Sequence, residues 1–188
     1  MSRKDQILEI ATELVQTRGY SAFSYQDLSN RLGITKASIH HHFPSKKDLG
    51  KAVAEKYNAD VRATLAAVKR ESDDPWAQIE GYVQFVLEII KTHDRICAAG
   101  SVQSEINVVP EAMGQSMCSL VQHVIGWISE VITNGRDLGV MDFPGTPDHQ
   151  GALIFSAAQG AMQYGRANGE QKANQVMQQI KETLKCRS

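Results

Sequence analysis

The sequence predicts an all-α fold of about nine helices, and three features of the chain indicate this class. Apolar residues recur every three or four positions through most of the 188 residues, which is the spacing of one helix face. Ser, Thr and Asp precede the periodic segments, while Gly and Pro follow them, as at helix starts and ends. No segment alternates apolar and polar residues as a half-buried strand does.

The first fifty residues contain two short helices joined by a tight turn. Ser24 and Asp27 have the spacing of a capping box for a helix that Gly33 ends. Thr35 is the predicted N-cap of a second helix, which Pro44 stops after about seven residues. Such a pair is typical of a helix-turn-helix, whose second helix enters the major groove of DNA.

The segment RKDQILEIATELVQTRGYSAFSYQDLSNRLGITKASIHHHFPSKKDL resembles the N-terminal DNA-binding domain of tetracycline-repressor (TetR) family transcription regulators. The resemblance depends on Gly19-Tyr20 with Phe23, on Leu28 with Leu32-Gly33-Ile34, and on the run His41-His42-Phe43-Pro44-Ser45-Lys46. It implies a three-helix DNA-binding domain over residues 1–48. Residues 49–188 would form a helical ligand-binding and dimerisation domain.

The resemblance also implies which residues meet DNA. They are Ser24, Gln26, Thr35, Lys36, Ala37, Ser38, His40, His41 and Lys46. Lys36 or Ser38 would read base edges, whereas Ser24, His40 and Lys46 would contact phosphates near helix N-termini. The alternative for each is an ordinary solvated polar residue.

One position departs from the family pattern. The family usually has Tyr where this chain has His40, so the phosphate contact of that phenol is in doubt here, and an imidazole would make it pH-dependent. Ile39 and Phe43 are predicted to pack the second short helix on Ile34, Leu28 and the first helix of the chain rather than to contact DNA.

The charge distribution agrees with this interpretation. The formal net charge is −1, but residues 1–50 hold seven Lys/Arg against five Asp/Glu. A mildly basic head on an acidic body suits a DNA-binding protein that uses one docked face. Phosphate contacts by lysines predict a steep dependence of affinity on salt.

Membrane, disulfide and metal sites are not expected. The chain has no apolar run long enough to span a bilayer, and its N-terminus is polar, which predicts a cytoplasmic protein that associates with the nucleoid when bound to DNA. Cys97, Cys118 and Cys186 form no paired motif. The adjacent histidines 40–42 point in different directions on a helix, so they cannot converge on one metal. No cofactor is predicted.

Six further helical segments are predicted after the head. They are residues 46–70, a helix that Pro75 starts and that ends near Asp94, about 97–107, a helix from Pro110 to about Asn134, and two closing helices at about 148–167 and 170–185. The first closing helix is rich in small residues and the second has a stripe of Val176, Ile180 and Leu184. In the resembled family these two helices form a four-helix bundle between subunits. The alternative is that both helices merely complete the monomer core.

The middle helices are expected to enclose a small-molecule inducer. The candidate lining residues are Tyr82, Phe85, Val86, Ile89, Cys97, Ser101, Val102, Met113, Met117, Val121, Trp127, Phe155, Gln159 and Met162. Reversible binding there would release operator DNA. Each of these residues could equally be a core residue without a ligand contact.

Cys97 suggests a second kind of sensor. The stretch from Arg95 to Glu105 is similar to a segment of an electrophile- and oxidant-responsive branch of the family. A helix N-terminus and the charges of His93 and Arg95 would lower the pKa of the Cys97 thiol. The opposing interpretation is that Cys97 is a small, inert core residue.

Two other classes of protein remain as alternatives. An enzyme would have to use pairs such as His93 with Asp94 or Glu105 with His123, but no nucleophile, phosphate loop or metal spacing accompanies them. An architectural DNA-binding protein would leave the acidic C-terminal domain without a role.

Overall fold

A computed structural model describes residues 2–92 and 95–186, whose regular secondary structure is helical, without a strand among them. The nine helices of this part of the chain are α1 (Arg3–Arg18), α2 (Tyr25–Leu32), α3 (Lys36–His42), α4 (Lys46–Glu71), α5 (Pro75–Lys91), α6 (Ala98–Ser104), α7 (Glu111–Asp137), α8 (Pro147–Asn168) and α9 (Glu170–Glu182). The predicted all-α class is confirmed. Within the described residues, no helix combines the length and hydropathy that crossing a membrane requires.

The helix starts follow from local capping. The hydroxyl of Ser24 donates to a carboxylate oxygen of Asp27 at 2.6 Å, and this reciprocal box begins α2. The hydroxyl of Thr35 accepts the backbone N–H of Ser38 at 3.2 Å and begins α3. Asp74 caps α5, with Pro75 as its first residue. Each signal is short-range, so sequence alone located these starts.

Four helix ends differ from the prediction by about three residues: α7 runs on to Asp137 instead of ending near Asn134, α9 ends at Glu182 instead of residue 185, and the ends of α5 and α6 also differ. α5 ends at Lys91, before the predicted end near Asp94, and the hydroxyl of Thr92 donates to the carbonyl of Glu88 at 2.9 Å. Asp94 itself lies outside the described residues. α6 is shorter than the predicted segment 97–107 because the chain turns after Ser104, where Glu105 is the C-cap.

The chain folds into two compact units. The first unit comprises Met1–Val61 and Cys97–Leu120, and the second comprises Arg62–Ile96 and Val121–Ser188. The first unit thus holds α1 to α3, the beginning of α4, all of α6 and the beginning of α7. The domain boundary at residue 48 stays a prediction.

In the core of the first unit, the burial of the apolar side chains of α3 agrees with the prediction that they pack within the protein. Ile39 and Phe43 are 0% and 3% exposed, and Ile7, Leu14 and Leu28 are buried with them. Burial of a side chain of this size stabilises a fold by about 1.5–3 kcal/mol. The apolar face of α3 is therefore used within the protein, and its other face is available for recognition.

In the second unit α8 packs closely on α9 and on α7. A Cβ added to Gly165 would lie 2.7 Å from the Cβ of Ala173, and one added to Gly151 would overlap the hydroxyl of Ser129. The small residues at 151 and 165 therefore serve contacts within the unit. Gly160 differs, because a Cβ there would meet no neighbour within 4 Å among the described residues.

Candidate DNA-binding surface

The turn between α2 and α3 is built from backbone geometry. Gly33 has φ 63° and ψ 33°, a left-handed conformation that glycine adopts without strain. The N–H of Ile34 then donates to the carbonyl of Ser29 at 3.2 Å, and the hydroxyl of Ser29 donates to the carbonyl of Ile34. These bonds hold α3 at a fixed angle after α2.

The outer face of α3 carries the predicted recognition residues. Thr35, Lys36, Ala37, His40 and His41 are exposed or half-buried, as is Ser38, and none of them belongs to the buried core. A seven-residue helix with a buried apolar side and an accessible polar side suits insertion into a major groove.

His40 is held by two neighbours. Its ring lies 4.6 Å from the ring of Tyr25, centroid to centroid, and its Nδ1 lies 3.1 Å from the carbonyl oxygen of Pro44. The hydroxyl of Tyr25 donates to the carbonyl of Phe43 at 2.9 Å. Burial, with a smaller effect of Asp48, raises the pKa of Tyr25 to about 12. When Nδ1 carries the proton and donates to Pro44, Nε2 is left for a partner such as DNA.

The candidate residues of α2 already have partners in the protein. Ser24 is part of the capping box, where its hydrogen bonds lower the pKa of Asp27. The amide of Gln26 donates to Asn30 at 2.7 Å. Both side chains are exposed, so each can reach a phosphate only by sharing or exchanging these bonds.

Lys46 packs on two aromatic rings. Its Nζ lies 4.7 Å from the ring centroid of Tyr20 and 4.6 Å from that of Phe23, and it donates to the carbonyl of Ser21 at 3.4 Å. Burial lowers the pKa of the Lys46 ammonium. The predicted phosphate contact of Lys46 therefore competes with a cation–π site, which the sequence pattern did not reveal.

α6 is attached to the helix-turn-helix within the first unit. The buried hydroxyl of Ser101 donates to the carbonyl of Val15 in α1 at 2.8 Å. The carboxylate of Glu105 accepts the N–H of Ser21 at 2.8 Å and its hydroxyl at 2.7 Å. We call the Glu105–Ser21 pair, together with Gly19 beneath it, the α6 clasp. Sequence reasoning missed it because its partners lie far apart in the chain.

The predicted effector residues are mostly buried in one or the other unit. Those of the second unit are Tyr82, Val86, Val121, Trp127, Phe155 and Met162, which are buried, and Phe85, Ile89 and Gln159, which are half-buried. Those of the first unit are Cys97, Ser101, Val102, Met113 and Met117, all buried. Burial suits core and effector contacts alike, so the predicted effector site stays a prediction.

The second unit also has an open cleft, whose lining includes charged and polar residues. Its volume is about 650 Å³, and its lining includes Lys69, Arg70, Asp73, Glu130 and Asn134. The predicted effector residues are not part of this lining. Lys69 forms an ion pair with Glu130 at its edge.

Cys97 is 8% exposed, and the hydroxyl of Tyr57 lies 3.5 Å from its Sγ. His93, the cation predicted to act on this thiol, lies outside the described residues.

The candidate catalytic pairs do not form a site in the described part of the chain. His93 and Asp94 lie outside it. Glu105 is engaged in the α6 clasp, and burial, together with the charge of Arg62, lowers the pKa of His123. Residues 2–92 and 95–186 contain no group of three His, Cys, Asp or Glu side chains that could hold a metal ion.

The fold and this surface define a helix-turn-helix DNA-binding protein. Residues 7–53 match the family described as bacterial regulatory proteins, tetR family. The crystal structure of a TetR-family transcriptional regulator from Agrobacterium tumefaciens is similar over 97% of both chains, with 29% sequence identity and a TM-score of 0.93. Residues 7–53 thus form a DNA-binding domain of the TetR family, and the whole chain is similar to a transcriptional regulator of that family.

Two curated relatives specify the class further. The HTH-type transcriptional repressor NemR of Escherichia coli strain K12 is 24% identical over 161 residues, which cover 84% of this chain and 81% of NemR. The HTH-type transcriptional repressor DhaR of Mycobacterium sp. strain GP1 is 20% identical over 160 residues, or 85% of this chain and 80% of DhaR. The chain belongs with such DNA-binding repressors and not with enzymes.

Proposed function

We propose that the protein binds a palindromic operator as a homodimer and that a small molecule in the C-terminal domain releases it. The observation that carries the DNA-binding half is the accessible polar face of α3 on a buried apolar core. A short recognition helix makes few base contacts, so a two-fold dimer that engages two half-sites is the expected arrangement. Such a repressor would act in the cytoplasm, at the nucleoid.

Within this proposal Lys36 and Ser38 read base edges. Both lie in the first turn of α3, where a helix that enters the groove end-on meets the bases. A lysine donates to the O6 and N7 acceptors of guanine, and a serine hydroxyl can donate or accept. His41 can add a phosphate or base contact from the same helix.

We expect Lys36→Ala to weaken operator binding by about 1–3 kcal/mol per subunit without changing stability. The exposed side chain supports no core contact. Fluorescence anisotropy with selected operator sequences at several salt concentrations measures this. If Lys36 contacts a base, its loss relaxes specificity at one position of each half-site. If Lys36 contacts a phosphate, its loss reduces the slope of affinity against salt by about one.

Lys51→Ala is the matched control, because Lys51 is an exposed lysine on α4 that pairs with Glu55 one turn along the same helix. It should leave operator affinity nearly unchanged. Equal loss from both substitutions, or none from Lys36→Ala, would contradict the role of α3.

The proposed homodimer uses α8. Leu153 and Tyr164 are 59% and 45% exposed, and with Ala157 and Gly160 they follow i, i+4, i+7 and i+11 spacing along one face. The open space above Gly160 permits close approach of a second helix. By contrast, Ile180 and Leu184 of the predicted α9 stripe are buried within the second unit. We name Leu153, Ala157, Gly160 and Tyr164 the α8 face.

Release follows from a shift between two conformations. Occupation of the effector site would move α6 and swing α4, so that the two recognition helices of the dimer no longer fit successive major grooves. The attachments of Ser101 to Val15 and of Glu105 to Ser21 support this route, because they join α6 directly to α1 and to the loop before α2.

A second candidate is an electrophile- or redox-sensing repressor that acts through Cys97. The specific observation in its favour is the Tyr57 hydroxyl beside Sγ. Alkylation of a buried thiol at the start of α6 would push this helix from its place, which gives the same release step without a reversible ligand.

For this candidate, N-ethylmaleimide should release operator DNA from the parent protein but not from Cys97→Ser. The exposed Cys118 provides the control, because Cys118→Ser should respond like the parent. Anisotropy with labelled operator, together with mass spectrometry of the modified cysteine, measures both effects. If N-ethylmaleimide releases operator DNA from Cys97→Ser as readily as from the parent protein, Cys97 is not the sensor.

A further inference from the structure

Trp127 on α7 carries a buried hydrogen-bond donor. The side chain is 6% exposed, and its indole nitrogen Nε1 is buried without a hydrogen-bond partner among the described residues. Buried polar groups in folded proteins are nearly always paired, because an unpaired donor loses its hydration without compensation. Each exception therefore points to strain or to a functional partner.

Trp76 in the same unit shows the usual arrangement. Its indole N–H donates to the carbonyl of Val140 at 3.0 Å. Of the two tryptophans of the chain, Trp76 thus has a hydrogen-bond acceptor for its indole N–H, and Trp127 has none among the described residues. This difference makes Trp76 an internal reference for Trp127.

The surroundings of Trp127 are aromatic and neutral. The ring of Tyr82 on α5 lies 6.2 Å away, centroid to centroid, with an interplanar angle of 37°, and Tyr82 is 3% exposed. The buried residues one turn away along the two helices are the aliphatic Ile79, Val86, Val124 and Val131, together with Gln78, whose neutral amide donates to the carbonyl of Ser72. A charged ligand would lose its hydration there without a counter-charge. An aromatic ligand could stack on the two rings.

We infer that Trp127 donates the orienting hydrogen bond to the effector and that the effector is a neutral aromatic compound with an accessible carbonyl oxygen. The inference rests on the proposed release by a small molecule. Because Nε1 is fully buried in this conformation, the carbonyl reaches it only when the packing around Trp127 opens. Effector binding and the conformational change are then one linked equilibrium, in which the ligand-bound state satisfies a donor that the free state leaves unpaired.

The probes are acetophenone and α-methylstyrene, which have the same shape but differ in having C=O or C=CH₂. In a ¹H–¹⁵N spectrum of the full-length protein, Trp76→Phe assigns the two indole signals. Acetophenone should move the Trp127 N–H signal downfield, as hydrogen bonding does, and should leave that of Trp76 in place. α-Methylstyrene should produce no downfield shift. Calorimetry should show acetophenone binding about tenfold more tightly, the worth of one hydrogen bond.

Trp127→Phe keeps an aromatic ring and removes the donor. It should abolish the preference for acetophenone, while the cavity left by the smaller ring lowers the melting temperature. Trp76→Phe should keep the preference and lower the melting temperature, because the Val140 carbonyl loses its partner. Failure of both probes to bind, or a preference that survives in Trp127→Phe, would overturn the inference.

These measurements need no DNA, so they separate the inference from the proposed function. A protein that binds its operator and responds to another compound, but has no carbonyl preference, refutes only the role of Trp127. A protein that prefers acetophenone through Trp127 but binds no operator refutes only the proposed repressor mechanism.

Discussion

Leu153→Glu is expected to give a folded monomer that binds its operator about 10²–10⁴-fold more weakly than the parent protein. Leu153 is 59% exposed in the single chain, so the charge does not disturb the core. In the proposed dimer the same carboxylate would lie, with its two-fold copy, between two apolar helix faces. The loss of affinity arises because each head then binds its half-site alone.

Analytical ultracentrifugation and anisotropy with a two-site operator measure the two effects. Leu138→Glu is the matched control, because Leu138 is 61% exposed in the loop after α7 and lies outside the α8 face. It should remain dimeric and bind normally. A dimeric Leu153→Glu protein would show that subunits associate through another surface. A monomeric protein with parental operator affinity would contradict the need for two half-sites.

Gly19→Ala is expected to lower the free energy of unfolding and to open the α6 clasp. Gly19 has φ 89° and ψ 163°, a region almost restricted to glycine, where another residue costs about 1–3 kcal/mol. An added Cβ would also overlap Oε1 of Glu105. The flexible carboxylate can move aside, but it then gives up both hydrogen bonds to Ser21.

Urea unfolding of a double-mutant cycle separates the two causes. Glu105→Ala alone loses the clasp, and in Gly19→Ala/Glu105→Ala the overlap is already relieved, so the two costs should sum to more than the cost of the double variant. Gly33→Ala serves as a control for positive φ alone. Gly33 has φ 63° with no described atom near an added Cβ, and its cost should be about 1–2 kcal/mol. Strictly additive effects would show that Gly19 and Glu105 do not act on each other.

The clasp variants also test how release is transmitted. If α6 moves the head through Glu105, then Glu105→Ala should bind operator but respond less to an inducer. If the bond from Ser101 to Val15 transmits the movement by itself, Glu105→Ala would instead retain the full response to the inducer. Any response that remains in Glu105→Ala is then attributed to this second attachment.

The sequence alone determined where most helices begin and which family the N-terminal domain resembles. Capping residues such as Ser24 and Thr35, the glycine at position 33 and the proline at position 75 act within one helical turn, so their effects can be predicted without knowing the fold. The helix-turn-helix pattern is local for the same reason. The family match over residues 7–53 lies in this segment, where local signals are densest.

Only the tertiary structure decided what several predicted residues do. Lys46 lies on Tyr20 and Phe23, and Glu105 binds a loop 84 positions earlier in the chain. Gly151 and Gly165 serve packing within the monomer whereas Gly160 is open, although all three have the same helical setting. The sequence likewise cannot show that the buried N–H of Trp127 has no hydrogen-bond partner among the described residues. The physical reason is common to all of them: each role depends on which atoms approach from distant parts of the chain, and composition and periodicity carry no record of that approach.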